Sequence, residues 1–228
     1  MTSLRRTFAF LRQMIRLRVG MGTVRDLPTW LRSFSTNAMD DRRPWITFDA
    51  ARELSRVVTP GSRVFEFGSG GSTLYFDDTV GEVVSVEHDP AWADAVRSRV
   101  SSRVTLHVVE PIAEEPGIYA STDERYAGRS FRSYVETVDR YPDAYFDIVL
   151  VDGRARPASF LHAVPKLKPT GWLILDNSER EAYRDAFRIA DEAGWRPSTY
   201  RGPHPYVVEF GETTIWRRTD WGSPAQEP

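Results

Sequence analysis

Between residues 63 and 176 the chain repeats one pattern: a short apolar run ending at a glycine or an acid, then a stretch suited to a helix. The runs are Arg63 to Phe67, Glu82 to Glu87, Val104 to Val109, Tyr145 to Val151 and Trp172 to Leu175. Helices are expected around 73–78, over 91–100, near 157–167 and over 179–193. Strands alternating with helices require crossover connections, so the pattern predicts a mostly parallel sheet covered on both faces. Ligands in such sheets sit outside the carboxyl ends of the strands. The positions to inspect are therefore Gly68 to Thr73, Glu87-His88-Asp89, Glu110, Asp152-Gly153-Arg154 and Asp176-Asn177-Ser178.

Outside this repeat, Trp45 leads into a helix with Thr47 or Asp49 as N-cap and Pro60-Gly61 as its stop. Tyr206 to Phe210 and Thr213 to Arg217 read as a late hairpin around Gly211-Glu212. Residues 111–143 are polar but carry Tyr119, Tyr126, Phe131, Tyr134 and Tyr141, with a helix expected near 131–138. They suit either a lid over the strand ends or a small satellite core.

At 228 residues and 41% hydrophobic content, one domain with an extension is expected. The organisation reads as a helix and linker over 1–44, with little regular structure in 20–44, a domain over 45–219 and a tail over 220–228. A net charge of −2 gives no pull toward nucleic acid. The absence of cysteine excludes disulfides and thiolate metal sites. No apolar run approaches the ~20 residues that cross a bilayer, and Arg5, Arg6, Arg12, Arg16 and Arg18 make the N-terminus a poor secretory signal. A cytoplasmic location is expected. Leu4, Phe8, Leu11 and Ile15 share one helical face, with Arg5, Arg12 and Arg16 beside it. That face suits packing on the domain, a homodimer contact or peripheral attachment to a membrane.

The turn VFEFGSGGST, residues 64–73, narrows the chemistry. It lacks the lysine–hydroxyl pair of a Walker phosphate loop. The dinucleotide fingerprint wants a third glycine where Thr73 stands, although Glu87 supplies the expected ribose-binding acid. Glu66, two residues before the turn, would repel a pyrophosphate and attract a cation. A nucleoside carrying an ammonium and a sulfonium but no phosphate satisfies these conditions, and S-adenosylmethionine (SAM) is such a ligand.

Together VFEFGSGGST, VVSVEHDPAW, FDIVLVDGR and LKPTGWLILDNSER resemble class I SAM-dependent methyltransferases over about residues 45 to 217, with Ser72 replacing the usual third glycine. The resemblance implies a Rossmann-like, doubly wound, seven-stranded sheet, mostly parallel with an antiparallel last strand, behind an N-terminal helical extension. It places Glu66 and the turn Gly68, Ser69, Gly70, Gly71 and Ser72 near the methionine part of the cofactor, with Asp152 beside the donor. Glu87 would bind the ribose, His88 flank the adenine and Glu110 approach it.

Asp152 and Asp176-Asn177 end neighbouring strands, and such oxygen ligands suit Mg²⁺. They resemble the metal triad of catechol- and caffeoyl-type O-methyltransferases; the alternative is that they cap the helices that follow. Asp152 and Asp176 are the candidate catalytic residues. Where catechol-type enzymes have a lysine base, this chain reads Gly153-Arg154-Ala155-Arg156, and arginine stays protonated. Arg154, Arg156 and Arg180 suit a carboxylate or phosphate on the substrate, or pairing with nearby acids. The base stays open among Asp152, Glu179 and a route through the metal. His107, His162 and His204 read as structural. Because no NPPY-like tetrapeptide follows the fourth strand, an oxygen acceptor on a small molecule or saccharide is expected. The rivals are a nicotinamide oxidoreductase and a non-catalytic nucleoside-binding protein of the same fold.

Overall fold

The structure is a computed structural model that describes residues 3–218, so the tail expected over 220–228 lies outside the described residues. Helix α1 (Ser3–Leu17) is followed by a 3-10 helix (Met21–Asp26), α2 (Leu27–Ser33), α3 (Ala38–Asp41) and α4 (Phe48–Val57). The alternating part runs β1 (Arg63–Phe67), α5 (Gly71–Thr79), β2 (Glu82–Glu87), α6 (Pro90–Arg97) and β3 (Val104–Val108). After α7 (Arg132–Val135) come β4 (Phe146–Val151), α8 (Arg156–Lys166), β5 (Leu167–Asp176), α9 (Arg184–Glu192), β6 (Trp195–Pro203) and β7 (Phe210–Arg218).

The seven strands form one sheet in the order β3-β2-β1-β4-β5-β7-β6. The pairs among the first five strands are parallel, and β7 runs antiparallel to both neighbours. The inner strands are near-continuous apolar runs, broken by Glu66 in β1 and Ser85 in β2, because both faces are covered. Phe65, Phe67, Val149, Val151, Leu173 and Leu175 pack under α7, α8 and α9. Their neighbours Val64, Val83, Ile148, Leu150 and Ile174 pack against Ala50, Leu54 and Phe76 of α4 and α5. Burial of large apolar side chains contributes roughly 1.5–3 kcal/mol each. Strand order reverses between β1 and β4, so Gly68 and Asp152 flank the crevice at the switch point.

Two expectations need correction. Residues 20–44 are not an irregular linker. Pro28 lies in the first turn of α2, where a missing N–H is harmless. Asn37 caps α3 by accepting from the Asp40 amide at 3.0 Å, and Asp26 pairs with Arg52 at 2.7 Å. The hairpin was also displaced: β6 is residues 195–203, and 204–209 are the connection. Gly211 and Glu212 sit inside the ladder opposite Gly202 and Arg201 rather than in a turn. The edge strand β6 exposes residues 196–199, so it carries no alternating apolar signal.

Candidate functional site

The strand ends border two clefts that meet at Ser69, Ser72 and Asp152. The larger, about 910 Å³, is walled by the turn Ser69–Ser72, by Asp152, Asp176, Asn177 and Arg180, and by Met39, Trp45, Trp92, His204, Tyr206 and Phe210. The smaller, about 160 Å³, lies between Gly68, Ser69, Ser72, Glu87, His88, Asp152, Gly153 and Arg154. Asp152 borders both, with Ser69 and Ser72.

The glycine turn is held from below. Glu66 is fully buried on β1, and its Oε2 accepts hydrogen bonds from Thr73 (2.6 Å) and Ser85 (3.0 Å). Thr73 in turn accepts the Gly70 amide at 2.8 Å, so the carboxylate reaches the turn through one hydroxyl. Burial pushes the Glu66 pKa up to about 7 against the lowering effect of the three hydroxyls of Ser72, Thr73 and Ser85. The second oxygen, Oε1, has no hydrogen-bond partner. Glu66 borders neither cleft and supports the turn through the Thr73 hydroxyl. Gly68 has φ +90, and a Cβ there would lie 2.9 Å from Gly153. At Gly71 a Cβ would stand 2.2 Å from the Ala38 carbonyl oxygen, so α3 can close over the turn only on glycine.

Glu87 at the end of β2 is saturated. Its Oε2 accepts the Ser69 amide and hydroxyl, both at 3.0 Å, and its Oε1 accepts the His88 and Asp89 amides at 2.7 and 3.0 Å. Burial alone would raise its pKa, but the His88 and backbone hydrogen bonds outweigh that and hold it below the usual range. His88 bridges Glu87 to Tyr126, whose hydroxyl lies 2.9 Å from Nε2. Arg154 closes the same cleft: it reaches His88 at 3.3 Å and Asp123 at 3.3 Å, over the Tyr126 ring. It therefore lines the smaller cleft instead of the larger substrate-sized one. Glu110 is exposed and borders neither cleft.

The residues expected to bind a metal do converge, but around a side chain. Arg156, at the start of α8, is buried and turned inward. Its Nη2 donates to Asp152 Oδ1 (2.8 Å) and to the Asp152 carbonyl (3.1 Å), and its Nε to the Gly153 carbonyl (3.1 Å). Its Nη1 donates to the Asp176 carbonyl and to Asn177 Oδ1 at 3.4 Å. Five N–H groups are all a guanidinium has, and all five are taken. The set Asp152, Asp176 and Asn177 thus does not fit Mg²⁺, because a permanent cation already sits between these residues. Among the described residues there is no cluster of three or more histidine, cysteine or acidic side chains that could hold a metal. Arg156 likewise has no donor left for substrate. Arg180 is exposed on the wall of the larger cleft, its guanidinium 5.7 Å from the Tyr183 ring.

The two aspartates have been driven apart. Burial pushes the Asp152 pKa up to about 7, with Arg156 opposing and Asp176 adding to the rise. For Asp176 burial also acts upward, but His204 and Arg156 outweigh it and keep it ionised below the usual range. His204 Nε2 lies 3.1 Å from Asp176 Oδ1, which also accepts the Thr213 hydroxyl at 2.6 Å. Burial lowers the His204 pKa, yet Asp176 and Glu179 together outweigh it and hold the imidazole above its usual value, on the cleft wall beside the Asp176 carboxylate. Sequence reasoning placed His204 among structural residues, and nothing in its spacing could show that the hairpin connection returns it to Asp176. The contribution of Met39 was also missed, because residues 20–44 had been read as linker, and Trp45 had been read only as leading into a helix.

No protein-family model matches the chain, and no curated protein matches it. Solved structures match in fold. The O-methyltransferase TomG from Streptomyces achromogenes, involved in tomaymycin synthesis and solved with SAM, is 17% identical, with 88% of this chain and 100% of that one covered at a TM-score of 0.55. A SAM-dependent O-methyltransferase from Thermotoga maritima is 14% identical over 82% of this chain and 73% of that one, also at 0.55. The chain spans about half, 53%, of a spermidine synthase from Thermotoga maritima (13% identical, 70% of this chain, TM-score 0.46). The fold is therefore the Rossmann-like methyltransferase fold, with the antiparallel last strand that the sequence resemblance implies.

Proposed function

We propose that the chain is a SAM-dependent methyltransferase that acts on an oxygen of a small molecule or saccharide without a divalent cation. The observation that carries this reading is Asp152: a carboxylate with a pKa near 7 at the junction of the two clefts, beside the glycine turn. The glycine cradle at the N-terminal end of α5, with acids Glu66, Glu87 and Asp152 around it, suits a ligand with a carboxylate, an ammonium and a sulfonium. When bound, SAM supplies the electrophilic methyl group. The ribose hydroxyls would take the place of the Ser69 hydroxyl on Glu87, since the other partners of that carboxylate are backbone amides and His88. The smaller cleft is below the ~300–1,000 Å³ usual for ligand pockets, so Arg154 has to move aside for the nucleoside.

In the larger cleft Trp45, Trp92 and Tyr206 offer flat apolar surface to an acceptor ring, and Arg180 offers a cation to an acidic group. Asp152 takes the proton from the acceptor hydroxyl, while Arg156 fixes the orientation of its carboxylate. Two structural relatives at TM-score 0.55 are O-methyltransferases, which supports the oxygen acceptor. The test is S-adenosylhomocysteine release with a panel of hydroxylated acceptors, with and without excess EDTA. Turnover on a hydroxyl, unchanged by EDTA, is expected. Loss of turnover in EDTA with recovery in Mg²⁺, or transfer to amines only, would overturn the proposal.

A further inference from the structure

We infer that the outer face of α1 docks on an anionic lipid surface. The helix has two apolar faces, and the fold uses one. Phe10 and Met14 are buried with Trp30, Phe48 and Phe210 in a small core, and the Phe10 ring stands 5.1 Å from Trp30 and 5.0 Å from Phe210. On the other side Leu4, Phe8, Leu11 and Ile15 follow a 4-3-4 spacing, which aligns them in a single stripe. They are 66%, 64%, 41% and 80% exposed. Contiguous exposed apolar side chains of this size mark interaction sites more often than chance decoration.

Charge selects the occupant. Arg5, Arg12 and Arg16 run alongside the stripe, all exposed, and the fifteen residues of the helix include no aspartate or glutamate. Many arginines elsewhere on the surface are paired, such as Arg42 with Asp78, Arg97 with Asp94 and Arg99 with Asp40. A second copy would meet the stripe with the same acid-free helix, and four side chains fall far short of the ~20–30 residues a side of a standard protein interface. A bilayer with anionic headgroups satisfies both features at once: acyl chains take the stripe and phosphates take the arginines. The helix lies along such a surface; among the described residues no helix is long and apolar enough to cross a membrane.

The experiment is flotation of the full chain with phosphatidylglycerol-containing vesicles and with pure phosphatidylcholine vesicles. We expect binding to the anionic vesicles that is released by salt, and little to the neutral ones. Phe8→Ser with Ile15→Ser should abolish it. Arg12→Gln with Arg16→Gln should weaken it about thirtyfold, at about fivefold per arginine. All of these side chains face solvent, so the variants should keep the wild-type melting midpoint. The inference is overturned by absence of flotation with anionic vesicles, by equal flotation with neutral ones, or by variants that float like the wild type. It is equally overturned if sedimentation shows a dimer that Phe8→Ser with Ile15→Ser dissociates while no vesicle is bound.

Discussion

Asp152→Asn is expected to lower kcat by about 10²–10⁴-fold, the usual contribution of a positioned general base. The amide keeps the size of the side chain and can still accept from Arg156, so the fold should be retained. It cannot take up a proton. The pH profile separates this role from a merely structural one. In the wild type, kcat/KM should rise as Asp152 ionises through about pH 7. In Asp152→Asn that rise should vanish, leaving a low and flatter rate. Acceptor turnover measured across about pH 5 to 9 checks both points. A variant that retains the rate and the wild-type pH profile would remove Asp152 from the chemistry.

Arg156→Leu should destabilise the fold by about 3–5 kcal/mol, because it leaves the buried Asp176 and the half-buried Asp152 without the cation between them. Asp152 Oδ1 would lose its 2.8 Å partner, and the Asp176 and Gly153 carbonyls would lose donors. The loss depends on pH in a definite direction. Asp152 already has a folded-state pKa above its unfolded value, so its ionisation opposes folding. Stability from such a group is fully present below the unfolded pKa and is lost as pH rises through the folded one. Removing Arg156 lifts the folded pKa further, and the deficit should therefore be larger at pH 8 than at pH 5. Urea unfolding at the two pH values reads it directly. A loss below about 1 kcal/mol at both would mean that the guanidinium is not holding the strand ends together.

The same residue shows where the sequence stops being legible. The strands were readable because burial on both faces forces near-continuous apolar runs, and the glycine turn because only glycine permits the backbone approaches at Gly68 and Gly71. The convergence of Asp152, Asp176 and Asn177 was also readable, since parallel neighbours bring their ends together. What fills the space between them was not. Arg156 and a metal ion both neutralise facing carboxylates, and only the α8 backbone path turns the guanidinium inward. The His204–Asp176 pair depends on residues 28 apart in sequence, joined by a hairpin whose edge strand carries no apolar pattern. Glu66 was read as a cofactor contact, whereas Thr73 stands between it and the turn.

The proposed function requires the crevice at the ends of β1, β2 and β4 to receive a phosphate-free adenosyl ligand with no metal. Titration calorimetry of the full chain with S-adenosylhomocysteine in excess EDTA tests it most directly, with NAD as the comparison. Saturable one-to-one binding of S-adenosylhomocysteine and none of NAD is the predicted result. Saturable binding of NAD, with no heat from S-adenosylhomocysteine, would overturn the proposed function.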